Sequence, residues 1–185
     1  MNRIILYILI ILFSAQLYSQ EVEVPIDLQL SIFVKIMPLE KKLSQKISEK
    51  KNINILIVYQ NKYRPSLNER NNIIAFFRNN ENKMYSVSDM IFYEENTVKN
   101  YILGNKIDVV LITSLRAVDI SQLSEISKLT QVLTLTTLAS QVEKGLSVGI
   151  EKHKEKPQIL INLEQLKREG AVFSSHLLKI ARVIE

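Results

Sequence analysis

Three short apolar runs, spaced so that a helix fits between neighbours, constrain this chain more than any other feature. NINILIVYQ (52–60) is a β-branched run that reads as a strand buried on both faces, DVVLIT (108–113) is the clearest strand, and VLTLT (132–136) is the next. Between and before them, apolar residues recur every three or four positions. Leu28, Ile32, Ile36, Leu39, Leu43 and Ile47 mark a first helix from 26 to 47 with a kink at Pro38. NERNNIIAFFRNN (68–80) carries Ile73, Ile74, Phe76 and Phe77 inward. A weaker strand near 85–91 precedes a helix from Glu94 to Leu103, with Glu94 and Glu95 in its first turn and Gly104 as its stop. A further helix is capped near Asp119 and runs through Leu123 and Ile126. Strands alternating with helices at this spacing form βαβ units, so the expected fold is α/β, a mostly parallel sheet flanked by helices on both faces.

The first twenty residues stand apart from this pattern. Arg3 supplies a positive start, Ile4 to Phe13 is unbroken apolar sequence, and small residues follow at Ala15 and Ser19. That is the pattern of a secretory signal cleaved after Ser19, and the apolar run is about half the roughly 20 residues a membrane span needs. Residues 1–19 are therefore expected to be a signal peptide and 20–185 a single α/β domain that is exported. The chain has no cysteine, so it can form neither a lipoprotein anchor nor a disulfide, and packing alone must hold it together. Without the leader it carries 23 basic and 19 acidic side chains. Lys41, Lys42, Lys46, Lys50 and Lys51 gather at the end of the first helix, where a solvated face is the plainer reading. No basic stripe interleaved with aromatics points to nucleic acid.

Residues 145–149, GLSVG, have the spacing of a hydrolase nucleophile elbow, which requires a strand to end at the serine and turn into a helix. Leu146, Val148 and Ile150 instead alternate with Ser147, Gly149 and Glu151, which is a strand running straight through the serine, with Ser147 as its outward residue. The charged turn KHKEKP and the run QILIN (158–162) complete a β-hairpin near residues 146–162. The last aspartate, Asp119, precedes the serine, two histidines and no cysteine make no zinc set, and four glycines build no phosphate loop. No catalytic residue, metal or cofactor is expected, and the chain is read as a non-enzyme. After a short helix stopped by Gly170, Ser174 reads as the N-cap of a C-terminal helix with Leu177, Ile180, Ala181 and Ile184 inward and His176, Lys179 and Arg182 opposite.

The order of VLTL, EKGLSVGI, ILINLEQL and SSHLLKIARVI resembles the YfiR family of exported bacterial proteins. The likeness extends more weakly to LQLSIFVKIMPL, ILIVY and DVVLITSLRAVDI. That resemblance implies a dimeric α/β periplasmic regulator that binds and restrains the periplasmic sensory domain of an inner-membrane diguanylate cyclase, limiting biofilm formation through cyclic-di-GMP signalling. The family's disulfide-based redox response has no counterpart in a chain without cysteine, and a histidine kinase stands beside the cyclase as partner.

Independently of the family, ligands of open parallel sheets sit outside the carboxyl ends of the strands. Those ends carry Gln60, Asn61, Lys62 and Arg64, then Thr113, Ser114 and Arg116, then Thr136 and Thr137. Two arginines beside hydroxyl-bearing loops suit an anionic small ligand, although such loops are also polar simply because they face water. Ser174, Ser175 and His176 complete the candidate binding residues. A small-ligand-binding module without catalytic activity is the alternative function, and a homodimer is a further partner assignment. Intact-mass measurement of the protein recovered from cells is expected to give a chain beginning at Gln20. A mass retaining Met1 would mean that the apolar run stays on as an anchor.

Overall fold

The computed structural model describes residues 24–49, 51–79, 84–92 and 95–185. The expected leader, Lys50 and Glu94 lie outside them. The chain begins with α1 (Ile26–Ile36), a 3-10 turn (Met37–Leu39) and α2 (Lys41–Ser48), so Pro38 separates two helices rather than kinking one. Then come β1 (Ile53–Tyr59), α3 (Arg64–Asn79), β2 (Tyr85–Ile91), α4 (Glu95–Asn105), β3 (Val109–Ile112), α5 (Ile120–Thr130) and β4 (Leu133–Thr136). The remainder is α6 (Ser140–Glu143), β5 (Val148–His153), β6 (Lys156–Asn162), α7 (Leu163–Arg168), α8 (Ser175–Ile180) and β7 (Arg182–Ile184).

The strands form one seven-stranded sheet in the order β2-β1-β3-β4-β5-β6-β7, and only the β5–β6 pair is antiparallel. Both faces are buried, as the apolar runs require. Ile53, Ile55, Ile57, Val109, Leu111, Leu133 and Leu135 face a core closed by Leu30, Phe33 and Met37 of the first helices and Ile73 of α3. Leu56, Val58, Val110 and Ile112 face a second core closed by Val98 and Ile102 of α4 and Leu123 and Ile126 of α5. Helices thus cover both sides of a sheet whose central strands have no wet face.

Four local expectations differ from what the chain does. α4 runs through Gly104 to Asn105, and Lys106, at φ 51°, takes the left-handed conformation beyond its end. α3 starts at Arg64, so that residue opens a helix rather than lying in a loop. The last helix ends at Ile180, which is 59% exposed, and Arg182–Ile184 extend as β7 beside Leu160–Asn162. Of the expected stripe, only Leu177 is fully buried. The alternation Arg182 polar, Val183 apolar, Ile184 apolar is too short to carry a strand signal, and pairing with β6 decides it. Finally, the hairpin turn is only Lys154 and Glu155, with His153 opposite Lys156 and Pro157 already inside β6. Both turn residues have positive φ, 46° and 63°.

A two-residue turn with two left-handed positions is the type that favours Asn-Gly. Lysine and glutamate are strained there. Replacing them together (Lys154→Asn, Glu155→Gly) is expected to stabilise the protein by about 1 kcal/mol, read as a rise in the urea midpoint at unchanged slope. A fall in the midpoint would show that the two side chains contribute more than the strain they impose.

Candidate functional site

Strand β1 has β2 on one side and β3 on the other, so the chain reverses its direction of travel across the sheet at β1. Outside the carboxyl ends of β1 and β3 lies the crevice where open α/β sheets hold ligands. The structure brings most of the expected strand-end residues to it and shows how they are occupied. Gln60 clamps the following loop in both directions, its Oε1 accepting from the Arg116 N–H (2.8 Å) and its Nε2 donating to the Arg116 carbonyl (3.1 Å). Thr113 Oγ1 donates to the Val58 carbonyl (3.0 Å), which leaves Ser66 Oγ to donate to Thr113 (2.6 Å) while accepting from the Gln60 N–H (2.9 Å).

The centre of the crevice belongs to a residue the strand ends do not supply. Glu69, one turn after Ser66 on α3, reaches across to two loops. Its Oε2 accepts from the Ser114 N–H (2.8 Å) and from Thr137 Oγ1 (2.6 Å), and its Oε1 accepts from Ser114 Oγ (2.5 Å). Thr136 Oγ1 is likewise engaged, donating to Gln141 Oε1 (2.5 Å), whose Nε2 donates to the Thr113 carbonyl (3.4 Å). The hydroxyls expected to receive a ligand therefore already hold the protein's own side chains. Ser66 and Glu69 were legible as polar residues on the 66, 69/70, 73, 77 stripe that α3 turns towards the sheet. Polar residues on a buried stripe have to find partners there.

The other expected residues do not join this cluster. Asn61, Lys62, Arg64 and Arg116 are exposed, and the side chains of Lys62, Arg64 and Arg116 make no ion pair among the described residues. Ser174, Ser175 and His176 lie on the α8 segment by β7, at the opposite end of the sheet from β1. Ser174 Oγ caps α8 by accepting the Leu177 N–H (3.3 Å), and Ser175 and His176 are exposed. Among the described residues no group of three or more His, Cys, Asp or Glu side chains is placed to hold a metal.

Ser147 is not the outward residue the alternation suggests. It is fully buried, immediately before β5, and its hydroxyl donates to Glu169 Oε2 (2.5 Å). The same carboxylate accepts from the Thr134 N–H (3.1 Å), Thr134 Oγ1 (2.6 Å) and Gln165 Nε2 (3.1 Å). The reason lies on β4, where Leu133 and Leu135 face one core while Thr134 and Thr136 bring hydroxyls to the opposite face. The glycines of the motif have packing roles. Gly145, at φ 112°, ends α6, and a Cβ on Gly149 would stand 2.8 Å from a Val142 methyl. The strand expected to run through the serine starts only at Val148, so the motif is a helix-to-strand turn, the reverse of the strand-to-helix order an elbow needs.

Solved structures share this open, mostly parallel α/β sheet. The chain superposes on the ABC domain in complex with L-Trp from Streptococcus pneumoniae with a TM-score of 0.59, at 12% identity over 86% of this chain and 60% of that one. A ligand-free, open substrate binding protein with adhesive properties from Clostridium difficile gives a TM-score of 0.58, at 16% identity over 88% and 60%. A conserved domain protein from Vibrio cholerae gives 0.62, at 13% identity over 87% and 60%. The chain thus spans about 60% of the length of these structures, and the likeness is one of fold. No curated protein matches it. The YfiR/HmsC-like family model matches residues 44–182, and the chain belongs to that family.

Burial pushes the Glu169 carboxyl above the ordinary carboxylate range, and its four hydrogen bonds draw it only partly back. A folded pKa above the unfolded value, about 4.3, means that the native state holds a proton the unfolded chain has released. The stability contributed by Glu169 is then complete below that unfolded value and is lost as pH rises through the folded one. Urea unfolding of the wild type and Glu169→Gln from pH 4 to 8 is expected to show the wild type's advantage shrinking as pH rises. An advantage that grows with pH would mean that the carboxylate is held as a stabilised anion.

Proposed function

We propose that this protein is an exported periplasmic regulator that binds and restrains the periplasmic sensory domain of an inner-membrane signalling protein, a diguanylate cyclase or a histidine kinase. The family match over residues 44–182 carries this reading. It is supported by the leader-like first nineteen residues, and among the described residues no helix is long and apolar enough to cross a membrane. The protein acts by binding and not by catalysis. The serine and histidines that prompt a hydrolase reading are a buried carboxylate partner, the exposed last residue of β5 and an exposed helix residue.

One observation favours the second reading, a small-ligand-binding module: the fold it shares with substrate-binding proteins, together with a polar crevice at the switch point. As built, that crevice presents the Glu69 carboxylate. An anionic ligand there has to displace Glu69 from Ser114 and Thr137, with Arg64 and Arg116 available to compensate the charge.

Affinity purification of the tagged protein from gently cross-linked cells, followed by mass spectrometry, tests the first reading. An inner-membrane cyclase or kinase with a periplasmic domain is expected to be enriched, and Arg64→Ala with Arg116→Ala is expected to reduce its recovery several-fold. Return of the protein alone would sink the regulator reading, and attention would pass to ligands of the crevice.

A further inference from the structure

At the far end of the sheet from β1, strand β6 is longer than its outer neighbour. β7 pairs only with Leu160–Asn162, so Lys156–Ile159 pair on one side with β5 and are uncovered on the other. Pro157 falls on this uncovered stretch, where its missing N–H is not needed by the ladder. Beside the overhang is a groove of about 560 Å³ lined by Ile32 of α1, Pro157 and Ile159 of β6, and Ile180 at the end of α8. That volume lies within the range of small-ligand sites, about 300–1,000 Å³.

The rim of this groove has one sign of charge. His153, Lys154 and Lys156 line it, and Lys179 stands one residue before Ile180. The acids of the hairpin do not neutralise them, because Glu155 pairs with Lys152 (2.5 Å) and Glu151 with Arg182 (2.6 Å). The side chains of Lys154, Lys156 and His153 make no ion pair or hydrogen bond with the described residues. The turn that presents them is strained at both central residues, where Asn-Gly is the relaxed choice, and strain of this kind gathers at functional sites.

An apolar floor beneath an uncompensated cationic rim is complementary to a molecule with an acyl chain and an anionic head. We propose that this groove binds a free single-chain anionic amphiphile of the fatty-acid type, its chain against Ile32, Ile159 and Ile180 and its carboxylate at Lys154 and Lys156. The site is separate from the switch-point crevice and does not rest on the regulator reading, so purified protein tests it alone.

Isothermal titration of the mature protein with decanoate below its micelle concentration is expected to give saturable one-to-one binding. Octanoate should bind about 5- to 15-fold more weakly, because each methylene buried against the floor contributes up to about fourfold. Lys154→Glu with Lys156→Glu should weaken decanoate at least tenfold at an unchanged melting temperature. Ile180→Asp, at an exposed position that folding does not need, should do the same. Equal binding of decanoate and decyltrimethylammonium would overturn the proposal, as would indifference to either variant. Association with phosphatidylethanolamine–phosphatidylglycerol vesicles without saturable decanoate binding would also overturn it, assigning the patch to a bilayer surface instead.

Discussion

Burial of both faces of β1, β3 and β4 is the constraint on which the rest of the molecule depends. A parallel sheet covered on both sides has no wet face on which polar side chains can alternate, so β3 is all Val, Leu and Ile, β1 nearly so, and the threonines of β4 have to find partners inside. Polarity is thereby pushed to the strand ends and the edges. The crevice at β1 and β3 follows from this, because the first polar residues after Tyr59 and Ile112 are the first positions at which the chain leaves the sandwich. Helix α3 must pack on the same sheet through Ile73, and its first turns then project Ser66 and Glu69 over those ends.

Where polarity does enter the interior, carboxylates organise it. Glu40 is buried, caps α2 by accepting the Leu43 N–H (2.9 Å), and also accepts the Val172 N–H (2.9 Å) from the C-terminal segment. Glu69 ties α3 to the loops after β3 and β4. Glu169 ties the end of α7 to β4 and to the start of β5. Each bridges parts of the chain distant in sequence. In a chain without cysteine, which can form no disulfide, these three glutamates tie distant segments together through hydrogen bonds. Glu169 carries a desolvation penalty that its donors only partly offset.

What could be read from the sequence follows the same division. The strands buried on both faces, the caps at Asp119 and Ser174 and the left-handed Gly170 are local signals, and each is found where the residues place it. The crevice residues were legible as positions because strand ends are fixed by strand runs. Their partners were not, since Glu69 meets Thr137 across 68 residues of chain and Ser147 meets Glu169 across 22. Ser147 shows the limit of period-two reasoning. Alternation says which face a residue takes, and here both faces are covered, so the polar position also faces inward. β7 was illegible for another reason. Three residues hold no period, and only the exposed edge of β6 makes them a strand.

The two ends of the sheet differ in how firmly they are built, and that difference bears on regulation. Around β1 the hydroxyls of Ser66, Thr113, Ser114, Thr136 and Thr137 are already bonded and the neighbouring loops are clamped by Gln60, Glu69 and Gln141. At the other end, α8 is a six-residue helix with one fully buried side chain, and β7 is a three-residue strand with a single neighbour. Short elements with few buried apolar groups open at lower free energy than a core. A ligand or partner that bears on α8 and β7 therefore has less structure to move than one entering the crevice. Under the regulator reading proposed above, the loosely built edge is where a binding event is most readily converted into a change of surface.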